Sequence, residues 1–363
     1  MMDAENINVA VGLSGGVDSS VAAALLKEGG YGVIGITMEI YDGSEPVPGS
    51  AKNACYGPDE KEDVETAQRI CEQLDIRFYA IDLRQEYKAH VIQYFQTEYL
   101  AGRTPNPCIV CNQKLKFGFL WQKARAAGID FDFFATGHYA RIAKSKGRFL
   151  LRQAADNEKD QTYFLYRLTQ KQLSQTLFPL GEYTKGQVRK LAQSFGLETA
   201  ERVESQDFIA GGDYGVFFDR EDVSPGDIID QQGRLLGKHR GIVHYTVGQR
   251  KGLGIAHSHP LYVQRIDAAN NRIVVSDKES LFSESLVAAD LNLMAVDRLE
   301  RPCRVKTKIR LNHNAVEATI HPLGEDRVKV TFADAQEAVT PGQSVVFYTD
   351  DLMLGGGVIE EAL

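Results

Sequence analysis

A short apolar run at 7–12, a glycine-rich turn and the helical stripe VDSSVAAALLKE follow one another without a spacer, and this succession constrains the chain more than any other stretch. An apolar run that does not alternate reads as a strand covered on both faces, as in parallel sheets flanked by helices. Val17, Val21 and Leu25 mark one face of the helix, and Gly29 with Gly30 ends it. A second apolar run at 33–38 completes strand, helix, strand, whose crossover in a parallel sheet is right-handed. The cycle repeats: Val64, Ala67, Ile70, Cys71 and Leu74 mark a helix, 78–83 a strand and 131–140 another. An α/β fold with an N-terminal doubly wound parallel sheet is expected.

From about Gly215 the texture changes to short β-prone runs separated by turn residues. In LYVQRIDAANNRIVVSD the polar AANN joins two strands, and PGDIIDQQGRLLG and VTPGQSVVFYTDD carry similar Gly and Pro punctuation. The expected division is a catalytic domain at 1–214, a small mixed central domain at 215–286 and a C-terminal β-barrel-like domain at 287–363. No run approaches the ~18 apolar residues of a membrane span, and the N-terminal residues lack a basic segment followed by a long apolar one, so the cytoplasm is expected. Five cysteines are an odd, sparse set for a disulfide framework and fit thiol chemistry or a metal site better. The formal charge of −8 argues against nonspecific coating of nucleic acid but leaves room for a local basic patch.

At Ser14-Gly15-Gly16-Val17-Asp18-Ser19-Ser20 the first strand turns into the first helix, so unpaired backbone N–H groups and the positive helix end converge. Two glycines allow close approach to phosphate oxygens, and Ser14, Ser19 and Ser20 offer hydroxyls. No Lys follows, unlike the kinase and GTPase loops. The plainer reading is a strand-to-helix turn capped by Asp18 or Ser19. The string SGGVDSS resembles the signature of the N-type ATP pyrophosphatases, with an adenine nucleotide alpha hydrolase-like fold. That resemblance implies ATP split between its α and β phosphates, Mg²⁺ on the phosphate chain, and nucleotide contacts from Gly12, Leu13, Ser14, Gly15, Gly16, Val17, Asp18, Ser19, Met38 and Gly137. It also places Asp18 among the catalytic residues. Taken alone, Met38 reads as core, and His138 reads either as a phosphate ligand or as a structural histidine.

GRTPNPCIVCNQKLKFG, ATGHYARI, KDQTYFL, FPLGEYTKGQVRKLA, ESQDF, HYTVGQRKGLG and PLYV together resemble the bacterial tRNA 2-thiouridylases across nearly the whole chain. The resemblance implies adenylation and thiolation at C2 of uridine 34, the wobble base of the tRNAs for Glu, Gln and Lys. It further implies binding of the anticodon arm and a sulfur donor such as a cysteine desulfurase relay or free sulfide. Cys111 matches the cysteine that starts sulfur transfer, and Asn106 a contact to the target base. Lys159, Asp160, Gln161, Arg310 and Leu311 match segments that touch tRNA. Chemistry at C2 of a stacked pyrimidine requires the base to be splayed out. On its helix, Lys185 with Arg189 and Lys190 reads as part of a basic face.

The chain departs from that family where a second cysteine usually follows the segment equivalent to ESQDF; Ile209 stands there instead. Two routes remain open. Cys55, Cys108 and Cys111 can ligate a [4Fe–4S] cluster whose free iron delivers sulfur, or Cys111 carries a persulfide that Cys108 or Cys55 resolves. Cys71 lies on the apolar stripe of its helix and reads as core; Cys303 receives no role. An amidating ligase with a similar loop, or a tRNA-binding protein without turnover, is the alternative.

Overall fold

The computed structural model describes residues 6–44, 54–202, 207–209, 214–219 and 223–363. They fall into two compact units, one built from 1–91, 108–213 and 351–353, the other from 92–107, 214–350 and 354–363. In the first, strand β1 (Asn8–Gly12) leads through the glycine turn into helix α1 (Val17–Glu28) and on to β2 (Gly32–Glu39). After β3 (Ala54–Tyr56) come α2 (Glu60–Gln73), β4 (Arg77–Asp82) and β5 (Phe133–Thr136). The parallel sheet runs β4-β2-β1-β5 and ends on the short strand Thr176–Leu177.

Val9, Ala10 and Val11 of the central strand are wholly buried, which is why the run does not alternate. Each such valine contributes roughly 1.5–3 kcal/mol through burial. Their partners are apolar residues of α1 and α2, among them Ala23, Leu26, Ala67 and Cys71. Cys71 is the core residue its helical position implied: burial pushes its thiol up to about 12. A Cβ added to Gly35 of β2 would overlap the Cys71 sulfur, so this strand and helix touch at a glycine.

The strand expected at 131–140 is shorter than its apolar run. It stops at Thr136 because Gly137 turns in against α1: a Cβ there would lie 2.6 Å from both the Asp18 carbonyl carbon and the Ser19 nitrogen.

In the second unit, Tyr262–Asp267 and Arg272–Ser276 form the expected antiparallel hairpin, turning at Asn271 with φ 48°. They belong to a four-stranded sheet with Leu235–His239 and Gly226–Ile229. Six antiparallel strands from Phe282–Leu293 to Leu352–Ala362 close into a barrel, with the first pairing the last. Closure removes sheet edges, and Val305, Ile320, Val330 and Phe347 fill the interior.

Candidate active site

The turn between β1 and α1 is built by its own side chains. Gly15 has φ +70° and Gly16, extended, caps the helix without a side chain, leaving the first-turn N–H groups to face outward. The Ser14 N–H donates to Ser19 Oγ at 3.2 Å, and the hydroxyls of Ser19 and Ser20 donate to the Gly16 carbonyl at 3.1 and 2.9 Å. Ser19 and Ser20 are therefore buried braces of the loop, whereas Ser14 is exposed at its mouth. Gly12 and Leu13 lie beneath it: the Leu13 carbonyl accepts the Thr37 hydroxyl at 2.8 Å, next to half-buried Met38 at the end of β2. Val17 packs into the core.

Three long-range partners hold this loop, and local reading of the sequence missed each. Arg202 donates to the Gly15 carbonyl at 2.8 Å and pairs with Asp63 of α2. The Lys185 ammonium reaches both Asp18 carboxylate oxygens at 2.8 Å, and the Tyr139 hydroxyl donates to one of them at 2.8 Å. Lys185 is thus an inward partner of the glycine-rich turn rather than part of an outward basic face. Local periodicity would not have found it; only the carboxylate of Asp18 suggests a countercharge.

His138 follows Gly137 and packs, half-buried, against Phe117 and Phe178. Its Nδ1 bonds the Thr136 hydroxyl at 2.7 Å, and burial, helped by Lys116, holds its pKa down to about 3. The neutral imidazole is favoured at physiological pH, and the bond to Thr136 suits the structural reading of this residue. Because the folded pKa lies below the unfolded value near 6.5, its contribution to stability is present above pH 6.5 and is lost as pH falls towards 3. Urea unfolding at pH 7.5 and 5 should show a smaller loss for His138→Gln than for the parent; equal losses would refute the assignment.

Cys108 and Cys111 open a continuous helical run in which Cys111–Phe119 is π-helical, a distortion common at functional sites. Burial, first, and then Cys55 raise the Cys111 thiol to about 11, with Lys116 acting against them. Tyr87, stacked on Tyr56 at 5.2 Å, has its hydroxyl proton held chiefly by burial and then by Cys111, Cys55 and Cys108. All three thiols thus bear on the Tyr87 hydroxyl, and Cys55 is the chain neighbour of Tyr56, which stacks on that ring. Cys55 is exposed on β3, which pairs in parallel with Asp207–Ile209, Ala54 opposite Asp207 and Tyr56 opposite Ile209. Ser205 and Gln206 lie outside the described residues. All five cysteines are described, and none forms a disulfide. Among the described residues no group of three Cys, His, Asp or Glu side chains is placed to hold a metal ion, so the cysteines as arranged do not fit a [4Fe–4S] cluster.

The residues matched to tRNA contacts divide by role. Asp160 is buried and accepts from Thr162 Oγ1 at 2.8 Å and the Ala154 N–H at 3.1 Å; Gln161 accepts the Tyr139 N–H at 2.9 Å. Lys159 is half-buried beside them. In the second unit, Arg310 donates to the carbonyls of Glu337 and Ala338 at 2.7 and 3.1 Å, next to half-buried Leu311. Half-buried Asn106 belongs to the same unit, where Gln343 holds the carbonyls of Thr104 and Pro105 at 2.9 and 3.3 Å. No helix among the described residues is long and apolar enough to cross a membrane.

Residues 7–210 match the family described as tRNA methyl transferase HUP domain, 218–277 its PRC-barrel domain and 283–359 an aminomethyltransferase beta-barrel domain. The tRNA-specific 2-thiouridylase MnmA of Clostridium perfringens is 48% identical over 98% of this chain and 99% of its own. Those of Acetivibrio thermocellus and Clostridioides difficile are 47% and 46% identical over 97% and 99% of this chain and 99% of theirs. Among solved structures, NMN synthetase from Francisella tularensis aligns with TM-score 0.33 and 19% identity over 55% of this chain and 66% of that one. With identity approaching one half along almost its entire length, the chain belongs to the tRNA-specific 2-thiouridylase MnmA family.

Proposed function

We propose that this enzyme adenylates the C2 oxygen of uridine 34 in the tRNAs for Glu, Gln and Lys and replaces it with sulfur, releasing AMP and pyrophosphate. The observation that carries the reading is that one unit holds both the glycine-rich turn at Ser14–Ser19 and three thiols, Cys108 and Cys111 on one helical run and Cys55 beside the Tyr56 that stacks on Tyr87. The nest's N–H groups suit the charge that develops on departing pyrophosphate. Mg²⁺ held by nucleotide phosphates needs only one or two carboxylates, and Asp18 is the carboxylate at the nest; Lys185 neutralises it otherwise. When bound, the ion would supply charge neutralisation on the phosphates.

On the sulfur side, a persulfide on Cys111 attacks the activated C2. AMP leaves, and Cys111 remains joined to the base through a disulfide. Cys55 then attacks the Cys111 sulfur, releasing the thiolated base and forming a Cys55–Cys111 disulfide that an external thiol reduces. Support for Cys55 over Cys108 comes from the pairing of β3 with the strand that carries Ile209 at the family's cysteine position. No step is drawn through an iron–sulfur cluster; iron analysis after anaerobic purification tests that route. Anticodon-arm binding by a three-domain chain, a desulfurase relay that hands persulfide sulfur to Cys111, and a cytoplasmic setting belong to the same proposal; free sulfide, which cannot form a persulfide on a thiol without an oxidant, would act as donor only by attacking the activated C2 directly and displacing AMP.

The test supplies tRNA, ATP and a persulfide donor and follows AMP, pyrophosphate and thiolated nucleoside by mass spectrometry. Thiolation with stoichiometric AMP is expected. Cys55→Ser should accumulate an enzyme–RNA adduct on non-reducing gels that dithiothreitol releases. ATP cleavage without thiolation would reject the acceptor chemistry, and an unchanged Cys55→Ser would reject its role.

A further inference from the structure

Away from the thiols, a cleft of about 430 Å³ in the second unit is lined by Arg250, Gly252, Gly254, His257, Ser258 and His259 together with apolar neighbours. It is formed by a loop that is pinned at several points. The Gln249 amide oxygen accepts the Thr246 N–H at 3.1 Å and its nitrogen donates to the Lys251 carbonyl at 3.0 Å. The Gly248 N–H donates to the Val263 carbonyl, and the Val263 N–H to the Gln249 carbonyl, at 2.8 and 2.9 Å. Leu253 and Leu261 plug into the core formed by Ile228, Val263 and Ile273, and Ile255 packs beside them.

What the loop presents outward is of one chemical kind. Arg250, Lys251, His257, Ser258 and His259 are exposed, and neither Arg250 nor Lys251 forms an ion pair among the described residues. The two imidazoles meet edge to face at 4.3 Å, and His259 is fixed through Nε2 to Asp277 at 2.5 Å while Ser258 Oγ lies 3.2 Å from its Nδ1. Glycines at 252 and 254, with φ +78° and +68°, leave the floor without side chains. A rigid concave surface rich in N–H and O–H donors, on a chain whose total charge is −8, selects a compact anion.

We infer that this cleft seats a backbone phosphate of the RNA substrate, with Arg250 as the principal partner and Lys251 and His257 flanking it. The inference rests on the enzyme's acting on tRNA. It adds a positioning contact that carries no sequence information and sets how the RNA is held. An acidic protein partner, the competing occupant, would meet donors of this kind at several carboxylates rather than at one pocketed anion.

Equilibrium binding of unmodified tRNA to the full chain, measured across a salt series, tests it with Arg250→Ala, the double variant Arg250→Ala/Lys251→Ala, and Arg234→Ala as a control whose guanidinium is already paired with Asp230. Arg250→Ala should weaken binding equally for cognate and non-cognate tRNA and lower the slope of log K against log salt by about 0.9, the value for one lost phosphate contact. ATP binding without RNA and the thermal midpoint should match the parent. An unchanged slope overturns the inference, whether or not affinity falls. Loss of sulfur delivery from a donor protein with RNA binding intact overturns it in favour of a protein partner. If the parent itself binds tRNA without salt dependence, the tRNA reading fails first, and that result is distinct from failure of the cleft.

Discussion

Cys111→Ser is expected to abolish thiolation, by roughly 10³-fold or more as for removal of a nucleophile from the chemical step, while tRNA-dependent ATP–pyrophosphate exchange continues. Serine is nearly isosteric with cysteine, so the helical run that begins at Pro107 should be undisturbed. What is lost is the sulfur that can carry a persulfide. In the resting enzyme burial raises that thiol to about 11, so at pH 7 the thiol form predominates over the thiolate. Alkylation of Cys111 in the free enzyme should accordingly be slow at neutral pH and climb steeply in alkali. The Lys116 charge opposes the rise, and a bound polyanion that competes for Lys116 would alter it. Thiolated product from Cys111→Ser at anything near the parental rate would remove Cys111 from the chemistry.

Gly137→Ala should damage the ATP step and the fold together. Its Cβ would meet the carbonyl carbon of Asp18 and the nitrogen of Ser19, both main-chain atoms of the first turn of α1, which cannot swing aside as a side chain can. Overpacking of this kind costs about 1–3 kcal/mol, and a displacement of the nest by about 1 Å can cost on the order of 10²-fold in rate. A useful control is Gly186→Ala, exposed on its helix with nothing within 4 Å of the added carbon. That change should be neutral or stabilising by up to about 1 kcal/mol. Thermal unfolding with pyrophosphate exchange checks both; a Gly137→Ala protein with the parental midpoint and exchange rate would contradict the contact.

The parts of the site legible in the residues are those made by neighbours along the chain. Strand, glycine turn and helix at 8–28 stand where the apolar run and the Val17, Val21 and Leu25 stripe put them, because backbone hydrogen bonds and side-chain periodicity are local. The strand at 133–136 was overestimated for a tertiary reason: Gly137 serves a close approach to α1 and Tyr139 reaches Asp18, so the run does not continue as a ladder. Lys185 read as surface because its amphipathic helix carries Arg189 and Lys190 nearby, yet its ammonium is committed to Asp18, 167 residues away. Desolvation, and then Lys116, lowers the pKa of His138, and periodicity reveals neither.

By itself the order of residues determined that a glycine-rich strand-to-helix turn would start a parallel α/β sheet, that a β-rich half would follow, and which thiols are present. Only the folded chain decided how those parts are held: Arg202 on Gly15, Lys185 on Asp18, and Cys55 brought onto the strand that ends at Ile209. The reason is that charge pairing, burial and strand register depend on distances in space between segments far apart in the chain. Local propensity carries no information about those distances.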